Sequence, residues 1–125
     1  MSTHSRIGVQ QNDGTIISIY CHFDGYIDGV GKTLCYEHHG FEKAMNLVLL
    51  GNCSSICGGL VAYRELDWAW DDVKPKVHKA IDDFESYFES YFESVNYLFV
   101  DGVWKFWYKP NWKIIEYYKN IMNNK

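Results

Sequence analysis

Long apolar runs are missing from this chain of 125 residues: they stop at four, as in Leu47 to Leu50. A membrane-crossing helix needs roughly 18. The opening residues also lack the basic-then-apolar pattern of a signal peptide, so the expected location is the cytoplasm, away from any membrane. Cysteine is sparse. Cys21, Cys35, Cys53 and Cys57 are too few for a secreted disulfide scaffold of this size, and in a reducing compartment they are thiols. Basic charge is in deficit, with 12 Lys and Arg against 16 Asp and Glu. This argues against coating duplex nucleic acid, which takes a dominant basic face. A true phosphate loop is absent as well: Gly25 and the Gly31-Lys32-Thr33 triplet are separated by five residues where the nucleotide-triphosphatase loop has four, and no acidic-ended apolar strand for magnesium follows.

What the chain has is apolar and aromatic mass. It is 47% apolar, 18% aromatic and 22% charged, ample for one core over residues 1–125 and incompatible with disorder or a coiled coil. Charge is unevenly spread. Glu65 to Glu93 holds nine acids and three bases, whereas Asp101 to Lys125 holds five lysines against Asp101 and Glu116. The acidic stretch can meet a basic partner or simply face solvent, and the last quarter can attract an anion locally.

Two hairpins are legible. Arg6 to Gln11 and Thr15 to His22 flank Asp13-Gly14, a preferred pair for a two-residue type I′ turn, which predicts Arg6 opposite Cys21 and Ser5 opposite His22. Asn96 to Val100 and Val103 to Tyr108 flank Asp101-Gly102 in the same way. Helical spacing predicts two short helices between Val30 and Leu49, broken near Gly40 and closed by Gly51. Cys53 to Gly59 reads as a loop and Leu60 to Trp70 as a strand or extended segment. Val73 to Ser94 reads as a helix, its second half repeating every four residues with Phe84, Phe88, Phe92, Tyr87 and Tyr91 inward and Glu85, Glu89 and Glu93 outward. Trp112 to Met122 reads as a terminal helix. The expected fold is α+β: one domain, an antiparallel sheet built from two hairpins and packed with several helices.

The richest candidate site is the open end of the first hairpin. It gathers Thr3, His4, Ser5 and Arg6 beside Tyr20, His22 and Asp24, with Tyr26 and the start of a helix at Gly29 close by. Arg offers planar donors to phosphate or carboxylate, Asp can take a ribose hydroxyl, and Tyr can stack on a base. Gly29 and Gly31 open a helix whose first N–H groups can hold an anion, with Lys32 and Thr33 adding donors. The same residues also suit a structural network capping a sheet end. His22 with Asp24 is a candidate general base and its orienter, the basis of a hydrolase reading. Cys53 and Cys57 with His38 and His39 supply zinc-type ligands at unusual spacing, so no metal and no cofactor is assigned. Trp104, Trp107 and Trp112 interleave with Lys105, Lys109 and Lys113, as in a stacking surface or as core aromatics with lysines at the rim. The aromatic content also makes a homodimer reasonable.

The N-terminal third resembles a family of small, poorly characterised proteins encoded by phages and prophages. The matching residues are Ser2 to Ile7, Asp13-Gly14-Thr15, Ser18 to Tyr26 and Gly29-Val30-Gly31, with looser likeness through Leu50-Gly51, Ser54-Ser55 and the hairpin at Asp101 to Trp104. Where the family pattern has Trp and Pro, this chain has Phe23 and Ile27, which makes the loop less stiff. The resemblance implies a phage accessory protein acting against host defence in the host-cell cytoplasm. A non-enzymatic protein binding a small anionic ligand, such as a nucleotide immune signal, is the first expectation; an inhibitor binding a host defence protein through an acidic or aromatic surface is the alternative.

Overall fold

A computed structural model of the chain describes residues 3–89 and 94–123, the side chains of 122 and 123 excepted. The elements run β1 His4–Gln10, β2 Ile16–Cys21, α1 Lys32–Glu37, α2 Phe41–Val48, β3 Cys53–Ser55, β4 Val61–Ala62, α3 Trp70–Val73, β5 Lys76–His78, α4 Ile81–Phe88, β6 Ser94–Val100, β7 Val103–Tyr108, β8 Asn111–Ile114 and α5 Tyr117–Asn123. The strands form one sheet in the order β4-β3-β2-β1-β6-β7-β8, with β5 also pairing β2. Pairing is antiparallel except for β1 with β6 and β2 with β3. This is the expected α+β fold, the two hairpins being joined through the parallel β1–β6 contact.

The first turn differs from expectation by one residue. Gln11 N–H donates to Thr15 O at 2.8 Å and Gly14 N–H to Gln11 O at 3.0 Å, so the loop is Asn12-Asp13-Gly14. The Asp13 carboxylate accepts from the Thr15 N–H and hydroxyl, and Gly14 takes φ +90°, the left-handed end of a three-residue loop. Arg6 therefore faces Tyr20 and Ser5 faces Cys21. A slip of one residue exchanges the faces of a strand. Ser5, Ile7, Val9, Ile17, Ile19 and Cys21 share one face, and Arg6, Gly8, Ser18 and Tyr20 share the other. The second hairpin is as read, Val100 facing Val103 across Asp101 and Gly102, both at positive φ.

The two helices at Gly40 and the stop at Gly51 are observed, with φ +102° and +83° at those glycines. The stretch from Cys53 begins with strand β3, and only Val61–Ala62 of the segment after it is strand. The long helix is shortened. Lys74, before Pro75, is extended at ψ 156°, as a residue preceding proline prefers, and Lys76–His78 then pairs with Ile16 to Ser18. The helix begins at Ile81, and Tyr91, Phe92 and Glu93 lie outside the described residues. At the other end Trp112 to Ile114 belong to β8, where Trp112 faces Trp107, and the terminal helix starts at Tyr117.

Each sheet face has a core. On one, Ile7, Val9, Ile19, Tyr97, Phe99 and Trp104 pack under α1, α2 and α5 through Leu34, Val48 and Tyr118. On the other, Ile16 and Leu98 pack under Phe84 and Phe88 of α4, with Trp107 and Trp112 at the margin. Of the aromatic residues interleaved with lysines, Trp104 is thus fully buried core, while the half-buried Trp107 and Trp112 pack on Phe88 at the core's edge.

Candidate functional site

Strand register lays polar residues in rows on the face that α4 only partly covers. Tyr20, Arg6 and Asn96 face one another across β2, β1 and β6, His4 faces Ser94 beside them, and Ser18, Gly8 and Leu98 form the next row. Phe84 rests on Gly8, where a Cβ would lie 2.8 Å from its ring, so a side chain at that position is excluded by the helix above it. One turn on, Tyr87 stands over Arg6, its ring centre 5.0 Å from the guanidinium carbon. The polar rows beyond form the floor of a cleft of about 360 Å³ lined by His4, Ser5, Arg6, Tyr20, Asn52, Tyr87, Ser94 and Asn96.

Arg6 is held in place. Its Nε donates to Ser18 Oγ at 3.1 Å and its Nη2 approaches Ser18 O at 3.5 Å. Ser18 Oγ is hydrogen bonded to His78 Nε2 at 2.7 Å, so one hydroxyl links the guanidinium to the imidazole. Burial, then the charges of Arg6 and Lys76, push the His78 pKa down to about 4. An unfolded histidine protonates near 6.5, so between there and about 4 the unfolded chain takes up a proton that the folded chain refuses. Stability is full above 6.5 and falls as pH drops through this window, by no more than about 1.4 kcal/mol per pH unit and less where solvent reaches the ring. Thermal melts between pH 7.5 and 4.5 are expected to show a decline of several degrees that is visibly shallower in His78→Gln.

At the lip, His4 stacks on His22 with ring centres 4.6 Å apart and its Nδ1 donates to His22 O at 2.8 Å. His22 Nδ1 and Tyr20 Oη are hydrogen bonded at 2.7 Å, and burial raises the Tyr20 pKa. On its outer edge β2 pairs with β3 at Cys21 and with β5 at Ile16 to Ser18. Between them the Tyr20 N–H is taken by Asn52 Oδ1 at 2.9 Å. Asn96 is 5% exposed, and its carboxamide oxygen has no partner among the described residues.

The site residues expected from the sequence divide. Ser5, Arg6 and Tyr20 line the cleft, and His22 joins it through Tyr20. Asp24 and Tyr26 occupy the following turn, where the Tyr26 hydroxyl donates to Asp24 Oδ1 at 3.4 Å, so the His22–Asp24 base pair is not formed: each bonds a tyrosine instead. Gly29, Gly31, Lys32 and Thr33 belong to the opposite face. The N–H groups expected to await an anion are spent: Gly29 donates to Tyr26 O, Val30 to Asp24 O, and Lys32 to backbone carbonyls of its own turn. Gly29 is required by contact, since a Cβ there would lie 2.4 Å from Asp24 O. The Thr33 hydroxyl is directed at Cys57 Sγ, 3.4 Å away, and Lys32 lies over the Tyr117 ring. Asn52, Tyr87 and Asn96 were not singled out by the sequence as site residues; only the inward reading of Tyr87 in the four-residue repeat pointed toward one of them.

Burial favours the protonated thiol at all four cysteines, Cys57 included. Burial raises Cys21 and Cys35 to about 12 and Cys53 to about 11. His39 bonds the Tyr118 hydroxyl, and among the described residues no group of three or more His, Cys, Asp or Glu converges on a metal position. No described helix is long and apolar enough to cross a membrane. Compared with protein-family models, curated proteins and solved structures, the chain finds no match in any of the three.

Proposed function

We propose that the chain is a non-enzymatic binding protein whose cleft at Arg6 holds a small anionic ligand of nucleotide type and that, in the phage setting its sequence resemblance implies, it counters host defence by sequestering a nucleotide signal. The observation that carries this reading is Asn96, a nearly fully buried carboxamide whose oxygen has no partner among the described residues, in the lining of a cleft beside a fixed guanidinium. A buried polar atom left unpaired costs about 1–3 kcal/mol, which a bound ligand offsets. Arg6 supplies the positive charge, and Tyr87 and Tyr20 supply ring faces. A thermal-shift screen against linear and cyclic nucleotides, with mass analysis of the recovered ligand, is the test. A nucleotide returned intact that raises the melting temperature by several degrees, and that binds Arg6→Ala at least tenfold more weakly, is the expected result. Unchanged binding by Arg6→Ala would remove the cleft from the account, and an altered nucleotide would make the protein an enzyme.

A second reading places a host defence protein against the acidic, aromatic surface around Leu66, Trp68 and Trp70, which are 53%, 54% and 40% exposed and interspersed with Glu65, Asp67, Asp71 and Asp72. Glu85 of α4 and Glu89 at its C-terminal end suit it less, since Glu85 accepts from Trp112 Nε1 at 2.8 Å and Glu89 pairs with Lys109 at 3.5 Å. Co-purification of a host protein at low salt, lost at high salt, supports this second reading.

A further inference from the structure

The strip that leads from β4 into α3 is built to show its side chains. From Arg64 to Asp72 every residue is exposed, Leu66, Trp68 and Trp70 among them. One residue nevertheless holds the strip at both ends: the Tyr63 N–H donates to Asn52 O at 3.0 Å, and the Asn52 N–H donates to Val73 O at 2.7 Å. Within it the Trp68 N–H donates to Tyr63 O at 3.2 Å, the two rings lie 4.7 Å apart, and Asp67 turns the chain at φ +65°. Trp70 leans on Gly51, where a Cβ would come within 3.0 Å of its ring. A strip clipped in this way presents Leu66 and Trp68 to solvent without the freedom of a loose loop, so little order is lost when something covers them.

The charges around these side chains are unbalanced. Arg64 to Lys74 holds four acids and two bases. Both bases are engaged within the strip, Arg64 over the Trp70 ring at 4.7 Å and Lys74 with Asp71 at 3.5 Å. Glu65, Asp67 and Asp72 form no ion pair among the described residues. Exposed carboxylates repel nucleic acid and anionic lipid and attract cations, whereas exposed Trp and Leu side chains call for apolar cover. One partner meets both requirements, a polypeptide segment in which Arg or Lys is interspersed with apolar residues. Arg64 on Trp70 already shows one such contact within the strip.

Resting on the second reading, in which a protein covers this surface, we infer that the partner presents a basic amphipathic segment, its apolar side chains on Leu66 and Trp68 and its cations on Glu65 and Asp67. Calorimetric titration of the full chain with a synthetic peptide of Arg, Leu and Ser, with its counterpart carrying Glu for Arg and with one carrying Ser for Leu tests it. The first peptide is expected to bind about ten times or more tightly than either counterpart, and to weaken as salt is raised. Glu65→Gln combined with Asp67→Asn, where asparagine accepts the same positive φ, removes most of the advantage over the Glu peptide. Leu66→Ser removes most of the advantage over the Ser peptide, and Glu42→Gln on α2 changes neither. All these positions are exposed, so melting temperatures are expected to stay within about 2 °C of the parent. A Glu peptide that binds as well as the Arg peptide overturns the basic partner and leaves the second reading standing. Full affinity in both the carboxylate variant and Leu66→Ser overturns the placement on this strip. Self-association of the chain alone, abolished by Leu66→Ser, gives the surface to a second copy and overturns the foreign partner. Absence of binding by every peptide removes the second reading as well.

Discussion

Replacing Trp104 by alanine is expected to cost about 4 kcal/mol and to lower the melting temperature by roughly 15 °C. The residue is fully buried in β7 and joins three elements at once. Its Nε1–H donates to His38 O at the end of α1, its backbone N–H is bonded to the Tyr118 hydroxyl of α5, and its ring meets Phe99 of β6 edge-on at 5.3 Å. Deleting it opens a large cavity and leaves the His38 carbonyl unpaired. Against a total stability of about 5–15 kcal/mol for an ordinary domain, such a loss is a large fraction of the whole. Trp104→Phe keeps most of the ring volume and loses the hydrogen bond, so about 1–3 kcal/mol is expected for it. Urea midpoints of both variants check the pair, and a Trp104→Ala loss below about 1 kcal/mol would show that the helical face is not packed as described.

The second large effect is Phe84→Ala, expected to cost about 3–4 kcal/mol while also weakening the cleft. Phe84 is fully buried, stacks parallel to Trp112 at 6.0 Å, meets Phe88 edge-on at 5.0 Å and rests on Gly8. Gly8 has no side chain with which to fill the void. Tyr87, the wall over Arg6, is positioned by the same helix, so a loosened α4 moves that wall. On the proposed reading of the cleft as a ligand site, at a temperature where both variants remain folded, Phe84→Ala is expected to bind the ligand several-fold more weakly, whereas Trp104→Ala, on the other face, keeps parental affinity. Equal affinity in both would detach the cleft from α4.

The local signals of this chain that read correctly are those whose chemistry is sufficient by itself. Asp101-Gly102 supplies two residues that accept positive φ, and Gly40 and Gly51 supply the breaks that bound α2. Asn12-Asp13-Gly14 is harder, because a two-residue and a three-residue loop share the same Asp-Gly; the Asp13 bonds to Thr15 decide between them, and the register, hence the face on which Arg6 sits, follows from that choice. Periodicity misled where a sheet edge competed with a helix: Lys76–His78 and Asn111–Ile114 became strands because β2 and β7 had unpaired edges to offer. Arg6 and Tyr20 were visible as site residues since one hairpin carries both. Asn96 and Tyr87 come from distant segments, brought in by a parallel strand contact and a helix docking that no local pattern announces.

Asn52 has a consequence for how the molecule keeps to itself. On the outer side of β2, β5 ends its pairing at Ser18 and β3 pairs only at Cys21, leaving Ile19 and Tyr20 without a strand neighbour there. Such a gap is a template for a passing chain. The Asn52 carboxamide fills it by accepting the Tyr20 N–H, so no run of vacant backbone groups greets an intruding strand. The outermost strands are blunted by other means, β4 by being two residues long and β8 by Lys113. A chain this rich in aromatic residues is thereby protected from joining its neighbours edge to edge into aggregates.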